Sequence, residues 1–370
     1  MTEARFPGTM TGAWLPGDRT VDLREVPVPR PQRGQVLLRM RASTICGSDL
    51  RAIYRGHVGP EPYDDVIAGH EPCGEVVETG PGSRFRVGDR VVVYHIVGCG
   101  HCRECRAGSY ITCSAGFPDK LAYGYQRDGG HADFLLAEEQ SCLPLPDGLS
   151  YLDGACVACG FGTAYEAILR AGVSGWDSVL ITGLGPVGLA AGLLAKAMGA
   201  HQVIGMDIGA ARVDLARSLD AVDDAILAAG GEQAVDDAIL CDAGGQAVAD
   251  RVREVTGGRG CEVAVDCSGS AAARAIALRA SRENGRVVLV GEGGRLDLDV
   301  SADLIHPQRR LIGSWVTSVP HMADLLEHLV RWDLHPERIV TARFPLAEAG
   351  KAYATADAGA DGKVAIVMDD

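Results

Sequence analysis

Basic residues are scarce in this sequence, and long apolar runs are missing. The 35 lysines and arginines are outnumbered by 49 aspartates and glutamates, so the formal net charge at pH 7 is −14. A chain without a basic surface cannot neutralise many phosphates, and we therefore expect no nucleic-acid partner. No stretch contains the roughly 20 apolar residues that a membrane-spanning helix needs, so we expect no membrane partner. The N-terminal region also lacks the pattern of a signal peptide, and we expect a cytoplasmic protein.

A secreted disulfide scaffold is a further class that the sequence argues against. The chain has 12 cysteines, but at 370 residues and without a signal peptide these predict metal ligands or buried thiols. Apolar residues make up 47%, with 48 glycines and 17 prolines, a composition typical of a turn-rich globular protein. The length suits two domains.

The pattern of apolar residues changes along the chain. Up to about residue 155, short alternating runs separated by proline and glycine predict a β-rich domain. Beyond it, β-branched runs alternate with alanine-rich stretches, which predicts a parallel sheet with crossover helices. These runs are Ser178–Thr182, Gln202–Asp207, 262–267, 286–290 and 310–315. We expect an α/β protein with domains at 1–159 and 160–315, and with 316–370 returning to the first domain through a strand at 363–368.

A heptapeptide, Ala-Val-Asp-Asp-Ala-Ile-Leu, occurs at residues 221–227 and again at 234–240. Repeat architectures need several copies, and here there are two. We interpret the repeat as a local duplication that forms an inserted surface hairpin or helix without a function of its own.

Four cysteines lie close together within residues 98–114, with the spacing C-x2-C-x2-C-x7-C: Cys99, Cys102, Cys105 and Cys113. Four thiolates suit a closed tetrahedral zinc site, whereas the spacing does not fit the common ferredoxin patterns. Because such a site leaves no position for substrate, we predict a structural zinc that stabilises the fold.

A glycine motif follows the first strand of the second domain. It comprises Gly183, Gly185, Pro186, Val187 and Gly188, and a predicted helix begins at the proline, whose missing N–H costs nothing there. Asp207 ends the next strand, nineteen residues after Gly188. Strand, glycine turn, helix and carboxylate together are typical of a dinucleotide site with the pyrophosphate at the helix N-terminus. Asp207 favours NAD, because a carboxylate accepts bonds from ribose hydroxyls and repels a 2′-phosphate.

Three further residues indicate a functional site only when they are considered together: Cys46, His70 and Cys159. Taken singly, a cysteine is usually a small buried apolar residue, and a histidine usually lies in the core or on the surface. Cys156, three residues before Cys159, also leaves a C-x-x-C redox pair open.

The order of the motifs resembles the medium-chain, zinc-dependent alcohol dehydrogenase family, in its polyol, sorbitol and threonine dehydrogenase branch. The resemblance spans nearly the whole chain and is carried by Cys46-Gly-Ser-Asp49, Gly69-His70-Glu71, Gly-Asp-Arg-Val at 88–91, the four-cysteine lobe, Cys-Gly-Phe-Gly-Thr at 159–163 and the glycine motif. It implies a GroES-like catalytic domain, a doubly wound Rossmann domain that binds the nucleotide, and a homo-oligomer, either dimer or tetramer.

The resemblance also implies the metal ligands. Cys46, His70 and Cys159 would bind a catalytic zinc with one open position, so that the cofactors are two zinc ions and NAD. Glu71 would lie behind this metal and coordinate it transiently. Asp49 would accept a hydrogen bond from the His70 ring and fix its tautomer.

Further cofactor contacts follow from the same resemblance. Arg212 would help to hold the adenosine ribose, which leaves some use of NADP open, and Thr163, Val290 and Gly291 would flank the nicotinamide. Gly47 replaces a basic pyrophosphate contact, and we expect Lys363 to supply part of the missing charge.

The implied reaction is oxidation of an alcohol to a ketone or aldehyde, with hydride transfer to NAD. Ser48 would accept the alcohol proton. His57, His95 and His131 would lie near the substrate cleft and favour a polyol, cyclitol or sugar-like substrate, although each alone is also typical of a surface residue.

Three alternatives stay open at this point. An amino-alcohol dehydrogenase of the threonine type shares the pattern. A zinc-free reductase would lack the cysteine and histidine ligands. A catalytically idle zinc- and nucleotide-binding protein would not need Ser48 and Asp49, so their presence argues against it.

The proton relay differs from the best-known branch of the family, in which a histidine three residues after the hydroxyl completes it. Arg51 stands there, and arginine stays protonated and cannot act as a base. We infer that the proton leaves through water or through His57. His57→Gln should then lower turnover and change the pH–rate profile; an unchanged profile would exclude His57 as the exit.

Overall fold

The structure is a computed structural model that describes residues 6–57, 65–228 and 245–368. The second copy of the duplicated heptapeptide, at 234–240, lies outside the described residues. The first copy contains a short strand, Asp224–Leu227. No helix among the described residues has the length and apolarity needed to cross a membrane.

The strands, in chain order, are β1 Thr9–Trp14, β2 Asp22–Pro27, β3 Gln35–Ile45, β4 Pro72–Thr79, β5 Arg90–Val93, β6 Ile96–Val97, β7 Leu121–Ala122, β8 Phe134–Glu138, β9 Cys142–Pro144, β10 Ser178–Thr182, β11 Gln202–Asp207, β12 Asp224–Leu227, β13 Cys261–Asp266, β14 Ser281–Leu289, β15 Arg310–Gly313, β16 Val340–Pro345 and β17 Lys363–Val367.

The α-helices are α1 Arg103–Arg106, α2 Tyr151–Cys156, α3 Gly162–Ala171, α4 Pro186–Ala197, α5 Ala210–Ser218, α6 Gly245–Val255, α7 Ala271–Ala280, α8 Val319–Trp332 and α9 Ala349–Asp357. Short π-helical segments occupy Asp49–Tyr54, Val157–Phe161 and Val300–Ile305. The chain forms two compact units, one from Met1–Gly162 with Thr317–Asp370 and one from Thr163–Val316.

The first unit is built on a seven-stranded sheet in the order β16-β17-β3-β4-β5-β9, with β8 also paired to β3. β3 is its central strand, and it is buried on both faces. Val36, Leu38 and Met40 pack into one apolar cluster, while Leu37 packs into another. β17 pairs antiparallel with β3, which brings the C-terminal strand beside the segment that ends at Ile45.

The second unit contains a six-stranded, fully parallel sheet in the order β12-β11-β10-β13-β14-β15. All residues of β10 and β13 are buried, as expected of strands covered by helices on both faces. The predicted parallel sheet with crossover helices is confirmed. Strand order reverses between β10 and β13, and in such sheets ligands bind at the carboxyl ends beside the reversal.

Helix α2 is fixed at its start by a capping box. The Ser150 hydroxyl accepts a bond from the backbone N–H of Asp153, and the Asp153 carboxylate accepts one from the Ser150 N–H. Asp153 is fully buried and also accepts from His335 Nδ1 and from the Glu337 backbone N–H, each at 2.9 Å. The segment after α8 is thereby tied to α2, which continues directly into Val157–Phe161.

The His335–Asp153 bond predicts a pH-dependent stability. The bond to Asp153 raises the pKa of His335 above its ordinary value of 6.5, with Asp333 and Glu337 adding to the effect. A raised folded-state pKa stabilises the fold fully below the unfolded-state pKa, and this stabilisation is lost as the pH rises through the folded-state pKa.

We therefore expect His335→Gln to lower the free energy of unfolding more at about pH 5.5 than at about pH 9, as measured by chemical denaturation. His201→Gln, at an exposed histidine of the other unit, is the control for the substitution itself. Equal losses for His335→Gln at the two pH values would contradict the prediction.

Candidate active site

The four clustered cysteines come together in space, with their sulfur atoms all within 4.8 Å of one another. Cys99 and Cys105 lie 3.9 Å apart at sulfur, as do Cys102 and Cys113. A tetrahedral zinc with bonds of about 2.3 Å separates its sulfur ligands by about 3.8 Å. The four side chains therefore fit a closed zinc site.

One of the contacts between this lobe and the rest of the first unit is made at a glycine. The Gly108 carbonyl accepts a 2.9 Å bond from the backbone N–H of Val319, at the start of α8. A side chain on Gly108 would meet Pro320, since its Cβ would lie 2.5 Å from the ring. The lobe thus contacts a helix more than 200 residues away in the sequence.

A second cluster joins residues that are far apart in the chain. Ligand atoms of Cys46, His70, Glu71 and Cys159 all lie within 4.8 Å of one another. Cys46 directly follows β3, and His70 and Glu71 directly precede β4. Cys159 lies in the segment Val157–Phe161 after α2. The structure therefore brings together the three predicted ligands and the carboxylate expected beside them, and a set of two thiols and an imidazole suits zinc.

Asp49 orients this cluster. Its fully buried carboxylate accepts a 2.7 Å bond from His70 Nδ1 and a 2.9 Å bond from the backbone N–H of Cys46. Burial alone would lower the pKa of His70, but the charge of Asp49 holds it well above its ordinary value. With Nδ1 engaged, Nε2 is the nitrogen left for a metal.

The two thiols of the cluster interact directly. The hydrogen bond from Cys159 holds the pKa of Cys46 well below its ordinary value, and the same contact raises the pKa of Cys159. A thiolate is the form that binds a metal. Cys46 is thus favoured as the thiolate that a bound cation would need.

Glu71 has a partner that the sequence did not indicate. Lys363 Nζ lies 2.8 Å from one carboxylate oxygen and 2.6 Å from the other, and the Thr44 hydroxyl also donates to the carboxylate. Burial raises the pKa of Glu71, with Lys363 opposing the rise.

The expected role of Lys363 at the pyrophosphate stays a prediction, and the structure adds Glu71 as a partner of its charge. The residue is only 3% exposed and its charge is compensated by Glu71, so it is not a free cation. An ammonium buried at the start of β17 needs a carboxylate to offset its charge, and Glu71 supplies it.

Tyr125 is a neighbour of the cluster that no motif pointed to. It hydrogen-bonds with Ser48, and its ring centroid lies 5.5 Å from that of His70. Burial raises the pKa of Tyr125 well above its ordinary value. The tyrosine lies in a turn in which the N–H of Gly124 bonds to the Arg127 carbonyl. Only tertiary contacts place this turn beside Ser48.

The three histidines expected near the substrate differ in their surroundings. His95 is 5% exposed, lies edge-on to His70 with centroids 5.1 Å apart, and bonds through Nδ1 to the Ala158 carbonyl; burial lowers its pKa to about 3. His131 is fully buried behind Gly69, and burial lowers its pKa to about 4. His57 is exposed and bonds to the Leu15 carbonyl. Of the three, His95 lies against the candidate metal ligand His70.

The glycine motif of the second unit has the predicted form, with β10 before it and α4 starting at Pro186. Gly183 has a φ of +89°, and a Cβ on Gly188 would lie 1.8 Å from the Gly183 carbonyl. Apart from Gly185 itself and its two chain neighbours, no described residue has an atom within 4 Å of the Gly185 Cβ position. The turn is therefore tightly packed at Gly188 and open at Gly185.

The carboxylate that follows the motif contacts it directly. Asp207 accepts bonds from the backbone N–H groups of Leu184 at 2.7 Å and Gly209 at 2.8 Å. Arg212 lies beside Gly209, near Asp207. The bond to Leu184 keeps Asp207 next to the glycine turn, and Arg212 lies near Asp207.

The residues expected at the nicotinamide lie elsewhere in this unit. The backbone N–H groups of Val290 and Gly291 both donate to the carbonyl of Asp266 at 2.9 Å. Thr163 lies in the first turn of α3.

The Lys363–Glu71 pair predicts a double-variant result. Lys363→Met leaves a buried carboxylate without its cation and should cost about 3–5 kcal/mol in the free energy of unfolding. Removing both charges, with Lys363→Met and Glu71→Gln together, should recover much of that loss. Chemical denaturation measures both, with Lys351→Met as the control because its bond to Glu348 is exposed and should matter little. A double variant as unstable as the single one would contradict the prediction.

Comparison with known proteins places the chain in a family. A model described as the alcohol dehydrogenase GroES-like domain matches residues 32–147, and one described as zinc-binding dehydrogenase matches residues 186–331. The uncharacterized zinc-type alcohol dehydrogenase-like protein YphC of Escherichia coli K12 is 49% identical, with 98% of this chain and 99% of that protein covered. Sorbitol dehydrogenase of Bos taurus is 30% identical, with coverages of 96% and 94%.

The structure of alcohol dehydrogenase TADH from Thermus sp. ATN1 is also similar, with 28% identity, a TM-score of 0.82, and 97% of this chain and all of that chain covered. The predicted combination of a GroES-like domain with a Rossmann-type parallel sheet is thereby confirmed. The chain belongs to the medium-chain, zinc-type alcohol dehydrogenase family.

Proposed function

We propose that this protein is a zinc-dependent, NAD-linked dehydrogenase that oxidises a polar alcohol to a ketone or aldehyde. The observation that carries the proposal is the cluster of Cys46, His70 and Cys159 with Asp49 bonded to the imidazole. We assign these three side chains to a catalytic zinc and the four clustered cysteines to a structural zinc.

Zinc bound there would lower the pKa of an alcohol, and NAD would accept the hydride. The protein supplies the geometry. Asp49 keeps the His70 ring in one tautomer and orientation. Lys363 and Thr44 hold the Glu71 carboxylate, which supports a role for this residue behind the three ligands.

Ser48 is the proposed proton acceptor. Its hydroxyl hydrogen-bonds with Tyr125, so a proton taken up by the serine has a second hydroxyl beside it. Arg51 is exposed and cannot accept a proton. Water or His57 therefore remains the proposed exit.

A polar substrate is supported by His95. Its Nδ1 bonds to a backbone carbonyl and is therefore protonated, and the low pKa keeps the ring neutral, so Nε2 is an acceptor. An acceptor beside the proposed metal suits a hydroxyl next to the one that reacts. This supports a polyol, cyclitol or sugar-like alcohol, and the likeness to sorbitol dehydrogenase agrees with it.

NAD is the proposed nucleotide because Asp207 places a carboxylate at the glycine turn. A 2′-phosphate at that place would meet negative charge, although Arg212 nearby leaves some use of NADP open. We also propose a homo-oligomer. β15 is an edge strand of its sheet. Four exposed apolar residues lie on this strand or near it in the chain: Val300, Ile305, Leu311 and Trp315.

The proposal is tested by zinc content and turnover in matched variants. Wild-type protein should contain two zinc ions per chain and form NADH with at least one of sorbitol, inositol or a simple secondary alcohol. Cys46→Ser should lose one zinc and nearly all turnover while keeping its melting temperature. Cys102→Ser should lose the other zinc and lower the melting temperature.

Two outcomes would change the assignment. Two zinc ions per chain without turnover on any alcohol would favour an idle zinc- and nucleotide-binding protein. Faster turnover of threonine than of any polyol would favour the amino-alcohol alternative. Parallel assays with NADP test the cofactor assignment.

A further inference from the structure

A buried ion pair lies at the reversal point of the parallel sheet. Asp266 ends β13 and is fully buried, and Arg274, on α7, is 7% exposed. The guanidinium Nε lies 3.1 Å from the Asp266 carboxylate. Asp266 pairs in register with Thr182, the last residue of β10, whose hydroxyl donates to it at 3.1 Å.

This pair ties the loop after β13 to the end of β10. One carboxylate oxygen of Asp266 accepts from the Ser268 backbone N–H at 3.1 Å and from its hydroxyl at 2.6 Å, and the other accepts from the Gly269 N–H at 3.3 Å. The residue after Asp266, Cys267, donates its N–H to the Thr182 carbonyl at 2.8 Å. The carboxylate therefore fixes the loop 267–270 through several bonds.

The same pair reaches the loop after β14. Arg274 Nη2 donates to the Gly291 carbonyl at 2.5 Å, and the Gly291 N–H donates to the Asp266 carbonyl. A Cβ on Gly291 would lie 2.2 Å from the Gly269 nitrogen, so the two loops touch at backbone level. One arginine thus holds the carboxyl-end loops of β13 and β14 against each other.

The position of this pair indicates what it serves. Dinucleotides bind across the carboxyl edge where the strand order reverses, with one half on each side. Asp207 and the helix that begins at Pro186 belong to the β10–β11 side, which suits the adenosine half and the pyrophosphate. The loops after β13 and β14 are then left for the nicotinamide half.

We propose that Asp266 and Arg274 are positioning residues that hold these two loops in the arrangement that receives the nicotinamide half of the cofactor. The proposal rests on the proposed use of NAD. Breaking a buried pair destabilises any fold, so the test must separate a local effect on one half of the cofactor from a general loss of stability.

Arg286, at the amino ends of the strands of this sheet, provides a matched control. Arg286 donates to the Asp177 carboxylate and to the carbonyls of Ala171 and Gly172, at 2.7 and 2.8 Å. It therefore resembles Arg274 in bonding one carboxylate together with backbone carbonyls. Its partner Asp177 precedes β10, so the contact lies at the amino ends of the strands, away from the proposed cofactor edge.

The experiment measures the dissociation constants of NADH and of ADP for the zinc-loaded wild type, Arg274→Met and Arg286→Met. Arg274→Met should weaken NADH binding by about tenfold and leave ADP binding within about twofold, because ADP lacks the nicotinamide half. Arg286→Met should leave both constants within about twofold even where it lowers the melting temperature.

Unchanged NADH binding by Arg274→Met, or equal weakening of NADH and ADP, would overturn the inference while leaving the proposed function intact. A wild type that binds no NADH would overturn the proposed function and the inference together. Should Arg274→Met not fold, Arg274→Lys keeps the charge beside Asp266 but does not reach the Gly291 carbonyl. It should still weaken NADH selectively, and unchanged NADH binding by this variant would equally overturn the inference.

Discussion

The antiparallel pairing of β3 with β4 is the constraint on which the candidate metal centre depends. β3 ends at Ile45 and β4 begins at Pro72, so pairing sets the end of one strand beside the start of the other. Cys46 and His70 lie just beyond those ends and are thereby brought together. Helix α2 packs on both strands so closely that a Cβ on Gly154 would lie 2.5 Å from the sulfur of Cys73. Cys159 follows directly from that helix.

Buried carboxylates have the same kinds of partners in both units. The carboxylates of Asp49, Glu71 and Asp266 are fully buried, and each has a cationic or imidazole partner together with at least one further donor. Removing a charge from water is costly, and the hydrogen bonds that each carboxylate accepts offset that cost. The consequence is rigidity, because a carboxylate with several donors cannot rotate without losing some of them. All three lie where a ligand is proposed to bind, so the same bonds that satisfy the charge also fix the site.

Much of the architecture could be predicted from local patterns. The alternation of β-branched and alanine-rich runs predicted the parallel sheet, and Pro186 marked the start of α4. These features follow from the period of burial and from backbone chemistry, which act over a few residues. The partner of Lys363 could not be predicted, since Glu71 is 292 residues away in the sequence and meets it only through β17–β3 pairing. The contacts of Tyr125 and Arg274 could not be predicted for the same reason.

The sequence by itself determined the class of fold, the four-cysteine set and the carboxylate after the glycine turn, because each is expressed in residue spacing within one segment. Joining Cys46, His70 and Cys159 needed resemblance to a family, since no local spacing relates them. Only the tertiary structure decided which groups neutralise the buried charges, which histidine lies against the candidate metal ligands, and which arginine holds the loops at the reversal of the sheet. Those outcomes depend on strand order and register, which bring distant side chains within hydrogen-bonding distance and leave no trace in the spacing of the chain.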